Sequence, residues 1–289
     1  LYDITKDELN DISDTKKWEA FNLSKENYET LLSYDFDNQA PDNQLNTKIF
    51  KYFMEVGYFL DIGLQGEPFL YHDYPVKQVL GVQSELPSLL ENSHKLKNES
   101  DIKAYISRLS KFDTKFLQLI ENLKIRESKG IIPPKFINTI VLDEMKEFIG
   151  LQKDSLTDNT MGKTFAVTSN ILYANFETKV DAIDDISEDH KATYKKQVVE
   201  AIELIVFPAY QRLIDYIEKL NVNATNDAGV WKLPNGDEYY RFMLKVNTST
   251  DLNPEELYSL GLSEVERIKE EMNTILEAEG YADSTKTIG

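Results

Sequence analysis

The sequence contains no cysteine among its 289 residues. This absence excludes disulfides, thiolate metal sites and cysteine nucleophiles, but it does not distinguish a reducing from an oxidising compartment. Histidine is also scarce, since His72, His94 and His190 are the only three and lie far apart in the chain. The common catalytic spacings, such as His-Glu-x-x-His, Gly-x-Ser-x-Gly, Gly-x-Gly-x-x-Gly and the Walker loop, do not occur. The residues alone therefore indicate no catalytic residue and no metal ligand.

Long apolar runs and an excess of positive charge are missing as well. No run approaches the roughly 18 apolar residues of a membrane span, and no signal peptide pattern occurs. The 50 acidic residues outnumber the 32 basic ones and give a net charge of −18. Such a charge repels phosphate backbones and anionic lipid surfaces. We therefore expect no nucleic-acid partner and no membrane span.

The residues that are present are typical of a globular helical protein. Hydrophobic residues make up 41% of the chain, with 14 Phe and 16 Tyr, which is too aromatic for a disordered chain. Alternation with a period of two is scarce, whereas helical spacing of apolar residues recurs in the segments 43–60, 101–129, 135–150, 194–220 and 254–275. These patterns predict an all-α fold of long helices. We expect short helices in residues 1–40 and a helical domain, incomplete at its carboxyl end, in residues 41–289.

Two of the predicted helices carry strong local signals. Pro208 lies inside the apolar stripe of residues 194–220, and an interior proline removes a backbone donor, so a bent helix is predicted there. Asn253, Pro254 and Glu256 form the pattern of an N-cap, a proline in the first turn and a reciprocal capping glutamate. The helix that follows is predicted to direct its apolar residues toward a core; these are Leu257, Leu260, Val265, Ile268, Met272 and Ile275.

The segment "GVWKLPNGDEYYRFML", residues 229–244, interrupts the helical pattern. Its Pro-Asn-Gly sequence predicts a tight turn, after which Asp237 could cap a helix that carries Tyr239 and Tyr240. The tyrosines could line a substrate cleft, or they could pack in the core with their hydroxyls at the surface. Because one turn separates the segments, we expect Trp231 and the tyrosine pair to lie together at a cleft or at a seam between two halves of the protein. The alternative for Trp231 is a simple packing anchor.

Two further candidates are weaker. His72 precedes Asp73, which could orient its imidazole, but a loop histidine without a functional role is favoured. The acidic run "DAIDDISED", Asp181 to Asp189, could suggest calcium. It lacks the alternating ligands and the central glycine of a calcium loop, so a solvated charge run is favoured.

Several blocks of the sequence resemble a known family. The block "GVWKLPNGDEYYRFMLKVNTSTDLNPEELYSLGLSEVERIKEEM" and the upstream blocks "LGVQSELPSLLENSHKLKNESDIKAYISRLSKF", "KGIIPPKFI" and "FPAYQRLIDYI" occur in the order that the family shows. The chain thus resembles the bacterial domain-of-unknown-function family eight-eight-five over residues 40 to 280. That family in turn is similar to helical zinc metallopeptidases of the gluzincin type, such as angiotensin-converting enzyme and thermostable carboxypeptidase.

The resemblance implies an all-α fold about twice as long as this chain. It places a zinc-binding His-Glu motif and a later Glu ligand downstream, so zinc is expected in the full-length protein and no metal ligand in this chain. The chain then corresponds to the amino-terminal half, whose long helices form one wall of a cleft. The resemblance implies the carboxyl-terminal half of the same protein as its partner and a peptide as a possible substrate. Relatives often have His-Thr-Thr-Thr where this chain has Asn247, Thr248, Ser249 and Thr250. An Asn cannot act as an acid or base near neutral pH, which puts a catalytic role at this position in doubt.

Two functions follow from the resemblance. The first is the substrate-cleft half of a zinc-dependent peptidase-like hydrolase, with Trp231, Tyr239, Tyr240, Asn247 and Thr248 as substrate-binding candidates and with this fragment inactive alone. The second is a non-catalytic helical module of the cell envelope that binds a peptide or protein. Ligands retained or lost beyond Gly289 would distinguish them. Family resemblance favours the cell envelope or periplasm, with lipid anchoring as one mode of attachment, over the cytoplasm.

Overall fold

The protein was examined as a computed structural model, which describes residues 6–56, 69–153, 160–163 and 166–281. The predicted all-α fold is confirmed. Two short strands, β1 (Leu151–Lys153) and β2 (Thr160–Lys163), form an antiparallel pair with an irregular register between Leu151↔Lys163 and Lys153↔Thr160. The helices of the described residues are α1 (Asp14–Ser33), α2 (Pro41–Met54), α3 (Val82–Ser88), α4 (Glu99–Ser110), α5 (Phe112–Ser128), α6 (Lys135–Phe148), α7 (Ile171–Asp181), α8 (Glu188–Ala201), α9 (Phe207–Val222), α10 (Gly236–Thr248) and α11 (Pro254–Ala278).

Two helix predictions were wrong in their extent. The two or three short helices expected in residues 1–40 are replaced by α1, a single helix of 20 residues. The single long helix expected over residues 101–129 is divided into α4 and α5 at Lys111, whose backbone N–H bonds to Arg108 O in a tighter turn. No glycine or proline stands at this break, and the apolar spacing continues through it from Leu109 to Phe112. The pattern therefore carried no signal for the break.

The proline inside the apolar stripe of residues 194–220 is accommodated by a change in helix type. A π-helical turn, Ile202–Val206, connects α8 to α9, and Pro208 lies in the first turn of α9. The helix continues without a gap from α8 through the π turn into α9, so the missing N–H of Pro208 leaves a carbonyl of the preceding turn without its helical donor. Single π turns of this kind are a known cause of helix bending. The bend predicted at Pro208 stays a prediction.

Contacts group the chain into two compact units. The first unit comprises residues 1–30 and 70–234, and the second unit comprises residues 31–69 and 235–289. These units are defined by contacts within the chain and are not evidence of separate domains. The domain boundary predicted after residue 40 therefore stays a prediction.

The main hydrophobic core belongs to the first unit. Its members run from Val76 to Leu220 and come mainly from α4 to α9. Fully buried aromatic side chains occupy its centre, where Phe116 and Tyr210 lie with ring centroids 4.7 Å apart. Helix α9 packs against α5 and α6, and α8 packs against α4 and α7. The apolar stripes read from the sequence of α4, α5 and α9 are thus buried as predicted.

In the second unit the expectation for the last helix was wrong. Helix α11 contains no buried residue. Its predicted core side chains are instead substantially exposed, with Ile268 at 46% and Ile275 at 62%. The capping box at Asn253 is present as predicted, because Asn253 accepts from the Glu256 N–H at 2.9 Å and Glu256 accepts from the Asn253 N–H at 2.8 Å. The local sequence was therefore sufficient to predict where α11 begins. Burial of its apolar residues, in contrast, depends on a surface for them to pack against.

An extended segment, residues 7–12, is held on the polar face of α4 and α5. Side chains three or four residues apart lie on one helix face, so they can contact one extended strand of backbone in succession. They are Arg108 donating to Glu8 O, Lys111 to Asp7 O, Lys115 to Asn10 O, Gln118 accepting from the Ile12 N–H, and Asn122 donating to Ile12 O. This series satisfies backbone groups that have no helical or sheet partner.

Candidate functional site

The turn before α10 is built as its sequence predicts. Asn235 has φ 51°, in the left-handed region that Asn tolerates better than other non-glycine residues, and Gly236 begins the helix. Asn235 is the N-cap residue, without a side-chain capping bond, and Asp237 lies within the first turn. The prediction that Asp237 caps this helix was therefore wrong. Its carboxylate is still favourably placed near the positive end of the helix dipole.

The two tyrosines of α10 have different surroundings within the second unit. The ring of Tyr239 lies 5.4 Å from that of Phe69 and 6.4 Å from that of Phe242, in a small aromatic cluster. Tyr240, in contrast, is 43% exposed. Consecutive residues of a helix point about 100° apart, so both environments are available to a Tyr-Tyr pair. Tyr240 is the member of the pair that can contact a ligand.

Asn247 and Thr248 lie in the last turn of α10 and are exposed. Asn247 Nδ2 donates to Met243 O at 2.7 Å, and Thr248 Oγ1 donates to Leu244 O at 2.8 Å. The carbonyl oxygen of the Asn247 amide keeps acceptor capacity. The Thr248 hydroxyl is also occupied by Thr250, because it accepts from the Thr250 N–H at 3.4 Å and lies 3.0 Å from Thr250 Oγ1. Because Asn247 follows Tyr240 by two helical turns, these side chains share one face of α10.

Trp231 belongs to the first unit, in a short 3₁₀ turn, Val230–Lys232. It is 72% exposed. A Cβ atom built on Gly229 would fall within 1.6 Å of the Trp231 ring, so only glycine permits the indole to fold back at this position. The structure thus makes Trp231 an exposed aromatic surface rather than a core anchor. Its predicted position beside the tyrosine pair at a cleft stays a prediction.

His72 and Asp73 lie in a loop, as predicted, and contact different groups. His72 Nε2 lies 2.8 Å from Pro234 O, and Asp73 accepts a hydrogen bond from the guanidinium of Arg126. Burial lowers the pKa of His72 below its usual value. The neutral imidazole can therefore donate to the Pro234 carbonyl and hold the start of the tight turn. This supports the interpretation of His72 as a loop histidine.

Three cavities of the first unit are lined by residues that sequence reasoning did not select. One, of about 330 Å³, has a mainly apolar wall that includes Met145 and Tyr210, with Glu144 at its edge. The second, of about 460 Å³, contains Lys115, and the third, of about 290 Å³, contains His94 and Arg108. None of the three is lined by the predicted substrate-binding residues.

Burial changes the acidity of two of these groups. It raises the pKa of Glu144, and it lowers the pKa of Lys115 to about 8. Lys115 Nζ donates to the carbonyl and to the side-chain oxygen of Asn10, at 2.6 and 2.7 Å. In the sequence, Lys115 is an ordinary lysine in an amphipathic helix. Its burial depends on a segment about 100 residues away, so no local signal could have identified it.

Within the described ranges, no group of three His, Cys, Asp or Glu residues is placed to hold a metal ion. The expectation that this chain holds no metal ligand stays a prediction. Among the helices of the same ranges, none combines the length and apolarity needed to cross a membrane.

Comparison with known proteins identifies the family. The model of a bacterial protein family of unknown function, DUF885, matches residues 1–288. The chain belongs to the DUF885 family. No match was found among curated proteins.

A solved structure has the same fold as this DUF885 chain. It is described as "the putative lipoprotein from Colwellia psychrerythraea", is 22% identical and superimposes with a TM-score of 0.76. The match covers 96% of this chain and 46% of the other, so the chain spans about half the length of that structure. At this level of identity the likeness shows the fold alone.

The signature block of this DUF885 chain corresponds to defined elements. Residues 229–272 comprise the 3₁₀ turn with Trp231, the tight turn, α10 and most of α11. The exposed face of α10 and the exposed apolar side of α11 therefore both lie within the block.

Proposed function

We propose that this chain is the amino-terminal, substrate-cleft half of a zinc-dependent peptidase-like hydrolase, with the metal motif in the remaining half. The observation that carries the proposal is the partial coverage of a longer fold, in which 96% of this chain corresponds to 46% of a single chain. The signature block around α10 supplies the reaction class through its resemblance to helical metallopeptidases. The likeness in fold supports the half-chain interpretation, and function is argued from the residues of the site.

The residues of this chain have binding roles in the proposal. Tyr240 and Asn247 expose a hydroxyl and an amide group that can bind the N–H and C=O groups of an extended peptide, and Thr248 lies exposed beside Asn247. Trp231 offers an exposed aromatic surface for an apolar side chain of the substrate. Asn247 orients and does not transfer protons, because an amide does not titrate near neutral pH. Tyr239 supports the site by packing with Phe69.

Zinc belongs to the remaining half in this proposal. The proposal assigns no metal ligand to this chain, and among the described residues no group of three His, Cys, Asp or Glu is placed to hold a metal ion. When bound, a catalytic zinc acts as a Lewis acid and lowers the pKa of its bound water.

The exposed apolar faces of the second unit support a large intramolecular partner. Helix α2 exposes Ile49 at 59% and Phe53 at 61%, and α11 exposes Leu260, Val265, Ile268, Met272 and Ile275. Contiguous exposed apolar surface of this kind usually marks an interaction site. The partner we propose is the carboxyl-terminal half of the same protein.

A second candidate is a non-catalytic peptide- or protein-binding module. The observation that favours it is Asn247, which stands where relatives often have histidine and cannot take over its acid–base chemistry. For either function we propose the cell envelope or periplasm as the location, with a lipid anchor as the attachment, because the structural neighbour is described as a lipoprotein. The cytoplasm is the alternative location.

The test compares the longest reading frame that contains this sequence with residues 1–289 alone. Both are incubated with a mixed peptide library, with zinc and with a chelator, and zinc binding is measured by calorimetry. We expect turnover only with the longer frame, lost on chelation and restored by zinc. In that frame, Tyr240→Phe should raise KM, whereas the matched control Tyr258→Phe, on exposed α11, should not. Turnover by residues 1–289 alone would refute the proposal, and peptide binding without turnover by the longer frame would favour the binding module.

A further inference from the structure

One cavity of this acidic protein is lined mainly by basic side chains. It has a volume of about 290 Å³ and lies in the first unit beside the start of α4. The whole chain carries a net charge of −18, so a local concentration of cations is opposite to the average field of the molecule. The lining residues are Lys6, Ser93, His94, Lys95, Lys97, Asp101 and Arg108.

The charge of the cavity can be counted from these residues. Lys6, Lys95, Lys97 and Arg108 contribute +4, and Asp101 contributes −1, which leaves +3 when His94 is neutral. Asp101 is 3% exposed and is already bound, since it accepts from Lys6 Nζ at 3.0 Å and from the Lys97 N–H at 3.1 Å. The single carboxylate therefore does not neutralise the site.

The hydrogen bonds of His94 fix its protonation state. His94 is 5% exposed, with Nδ1 at 2.8 Å from Arg108 Nη1 and Nε2 at 2.9 Å from Asp101 O. A guanidinium can only donate, so Nδ1 must be the acceptor and the proton must be on Nε2, which donates to the Asp101 carbonyl. Burial lowers the pKa of His94, which agrees with a neutral ring. His94 is thus a positioning residue for Arg108.

Arg108 is held by neutral groups. Its Nε donates to Glu8 O at 3.1 Å, and its Nη1 donates to His94. In the part of the chain that the structure describes, no ion pair joins a carboxylate to its guanidinium, and the charge of Asp7 acts on it from a longer distance. A positioned guanidinium whose protein acceptors are neutral retains its full charge for a ligand and presents a planar set of donors.

The wall that carries His94 is rigid. Lys179 Nζ donates to Glu91 O at 2.6 Å and to His94 O at 3.2 Å, which fixes the turn before α4. The His94 ring lies edge-on to Tyr105, with the centroids 5.3 Å apart, and Tyr105 is fully buried. Preorganisation of this kind reduces the entropy lost on binding.

We propose that this cavity binds a small, doubly charged oxyanion, a phosphate or the phosphate head of a monoester. Its volume lies at the lower end of ligand cavities, which suits a head group better than a large molecule. An arginine fork surrounded by lysines matches a tetrahedral anion with several acceptor oxygens. The site is separate from the peptide-binding residues of α10, and its existence does not depend on the proposed hydrolase.

The first experiment is calorimetric titration of residues 1–289 with inorganic phosphate and with glycerol phosphate at low salt. Lys95 and Lys97 are exposed, so Lys95→Gln with Lys97→Gln should not disturb folding. We expect this double variant to weaken phosphate binding by about tenfold, which corresponds to about 1.4 kcal/mol. The matched control, Lys196→Gln with Lys219→Gln, makes the same change in net charge on exposed positions of α8 and α9 and should leave binding unchanged. Absence of phosphate binding at millimolar concentrations, or equal weakening in both double variants, would overturn the proposal.

The second experiment distinguishes the source of the phosphate group. Vesicles of phosphatidylcholine with phosphatidic acid are compared with vesicles of phosphatidylcholine alone in a sedimentation assay. Binding that requires phosphatidic acid, is competed by free phosphate and is weakened in the Lys95/Lys97 variant would identify a lipid head group. Phosphate binding in calorimetry without vesicle binding would identify a soluble ligand. Both results support the oxyanion site, because both require the same cavity.

Discussion

The two units of this chain differ in how much apolar surface they bury. The main core lies entirely between Val76 and Leu220, in the first unit. In the described part of the second unit, Met54 and Val56 are the only hydrophobic residues whose side chains are buried. Helix α11, with 25 residues, contributes none. An amphipathic pattern therefore specifies which face of a helix is apolar, and whether that face is buried depends on what else is present.

The units also differ in how they use polar side chains. The first unit buries Lys115, Asn122 and Arg126, and each of these contacts backbone of a distant segment. In the second unit, the ion pairs of α11 are local, such as Arg267 with Glu271, and exposed. Buried polar contacts depend on the tertiary fold, whereas exposed local pairs contribute little to stability. Substitutions should therefore have unequal effects in the two units.

The largest expected contrast is between the same substitution in the two units. Ile217→Ala, in α9, removes a side chain with 0% exposure and should lower the free energy of unfolding by about 2–5 kcal/mol. Ile268→Ala, in α11, changes a side chain that is 46% exposed and should alter it by no more than about 0.5 kcal/mol. Urea unfolding followed by far-UV circular dichroism, with each transition fitted separately, measures both.

The same two substitutions, Ile217→Ala and Ile268→Ala, can be compared again in a longer reading frame. If the apolar face of α11 is covered by the carboxyl-terminal half, Ile268→Ala should become costly in the longer reading frame, by about 1 kcal/mol or more. Ile217→Ala should cost the same in both proteins. A large effect of Ile268→Ala in residues 1–289 alone would show that α11 is already packed.

The fold was largely predictable because its signals are local. The stripes of α5, α6 and α9, the Asn235 turn and the Asn253 capping box depend on residues within a few positions of each other. The break at Lys111 and the exposure of α11 were not predictable, because the first has no helix breaker and the second depends on tertiary packing rather than on local sequence. The π turn before Pro208 is an intermediate case, since the proline indicated the place and not the type of interruption.

The contributions of two lysines, Lys115 and Lys245, to the free energy of unfolding should change with pH in opposite directions. Burial lowers the pKa of Lys115 to about 8 from its ordinary value of 10.5, so between these values the folded protein binds fewer protons than the unfolded chain. The stability of the wild type relative to Lys115→Met should therefore rise from pH 8 to 10.5, by on the order of 2 kcal/mol. Urea unfolding of both proteins at several pH values, compared by difference, provides the measurement.

Lys245 in the second unit is the matched control. Its hydrogen bond to Asp251 raises its pKa, so its contribution is present at neutral pH and is lost as the pH rises through the folded value. The difference between wild type and Lys245→Met should be small, because the pair is exposed, and should fall with pH. A flat or falling difference for Lys115→Met would contradict the burial of its amine in solution.

The candidate sites were harder to predict than the fold. Tyr240, Asn247 and Thr248 could be selected because they share one block of sequence and one face of one helix. The basic cavity combines Lys6, the turn at His94 and Arg108 of α4, and the decisive His94–Arg108 contact cannot be read from their spacing of 14 residues. Sequence reasoning could identify the side chains of one element, but not those that the fold brings together from several.

The most local expected effect concerns the start of α11. Asn253 accepts from the Glu256 N–H, and Glu256 accepts from the Asn253 N–H, so both backbone donors depend on this pair. Asn253→Ala should destabilise the helix by about 1 kcal/mol, and Asn253→Asp, which keeps a capping oxygen, should retain most of the stability.

Because α11 has no buried residue, the loss should appear as faster hydrogen exchange in its first turns rather than as a shift of the main unfolding transition. Exchange measured by NMR would show this as a roughly fivefold acceleration at the Glu256 amide in the Ala variant alone. A shift of the main transition by the full 1 kcal/mol would instead show that α11 unfolds together with the core of the first unit, and that the stabilities of the two units are coupled.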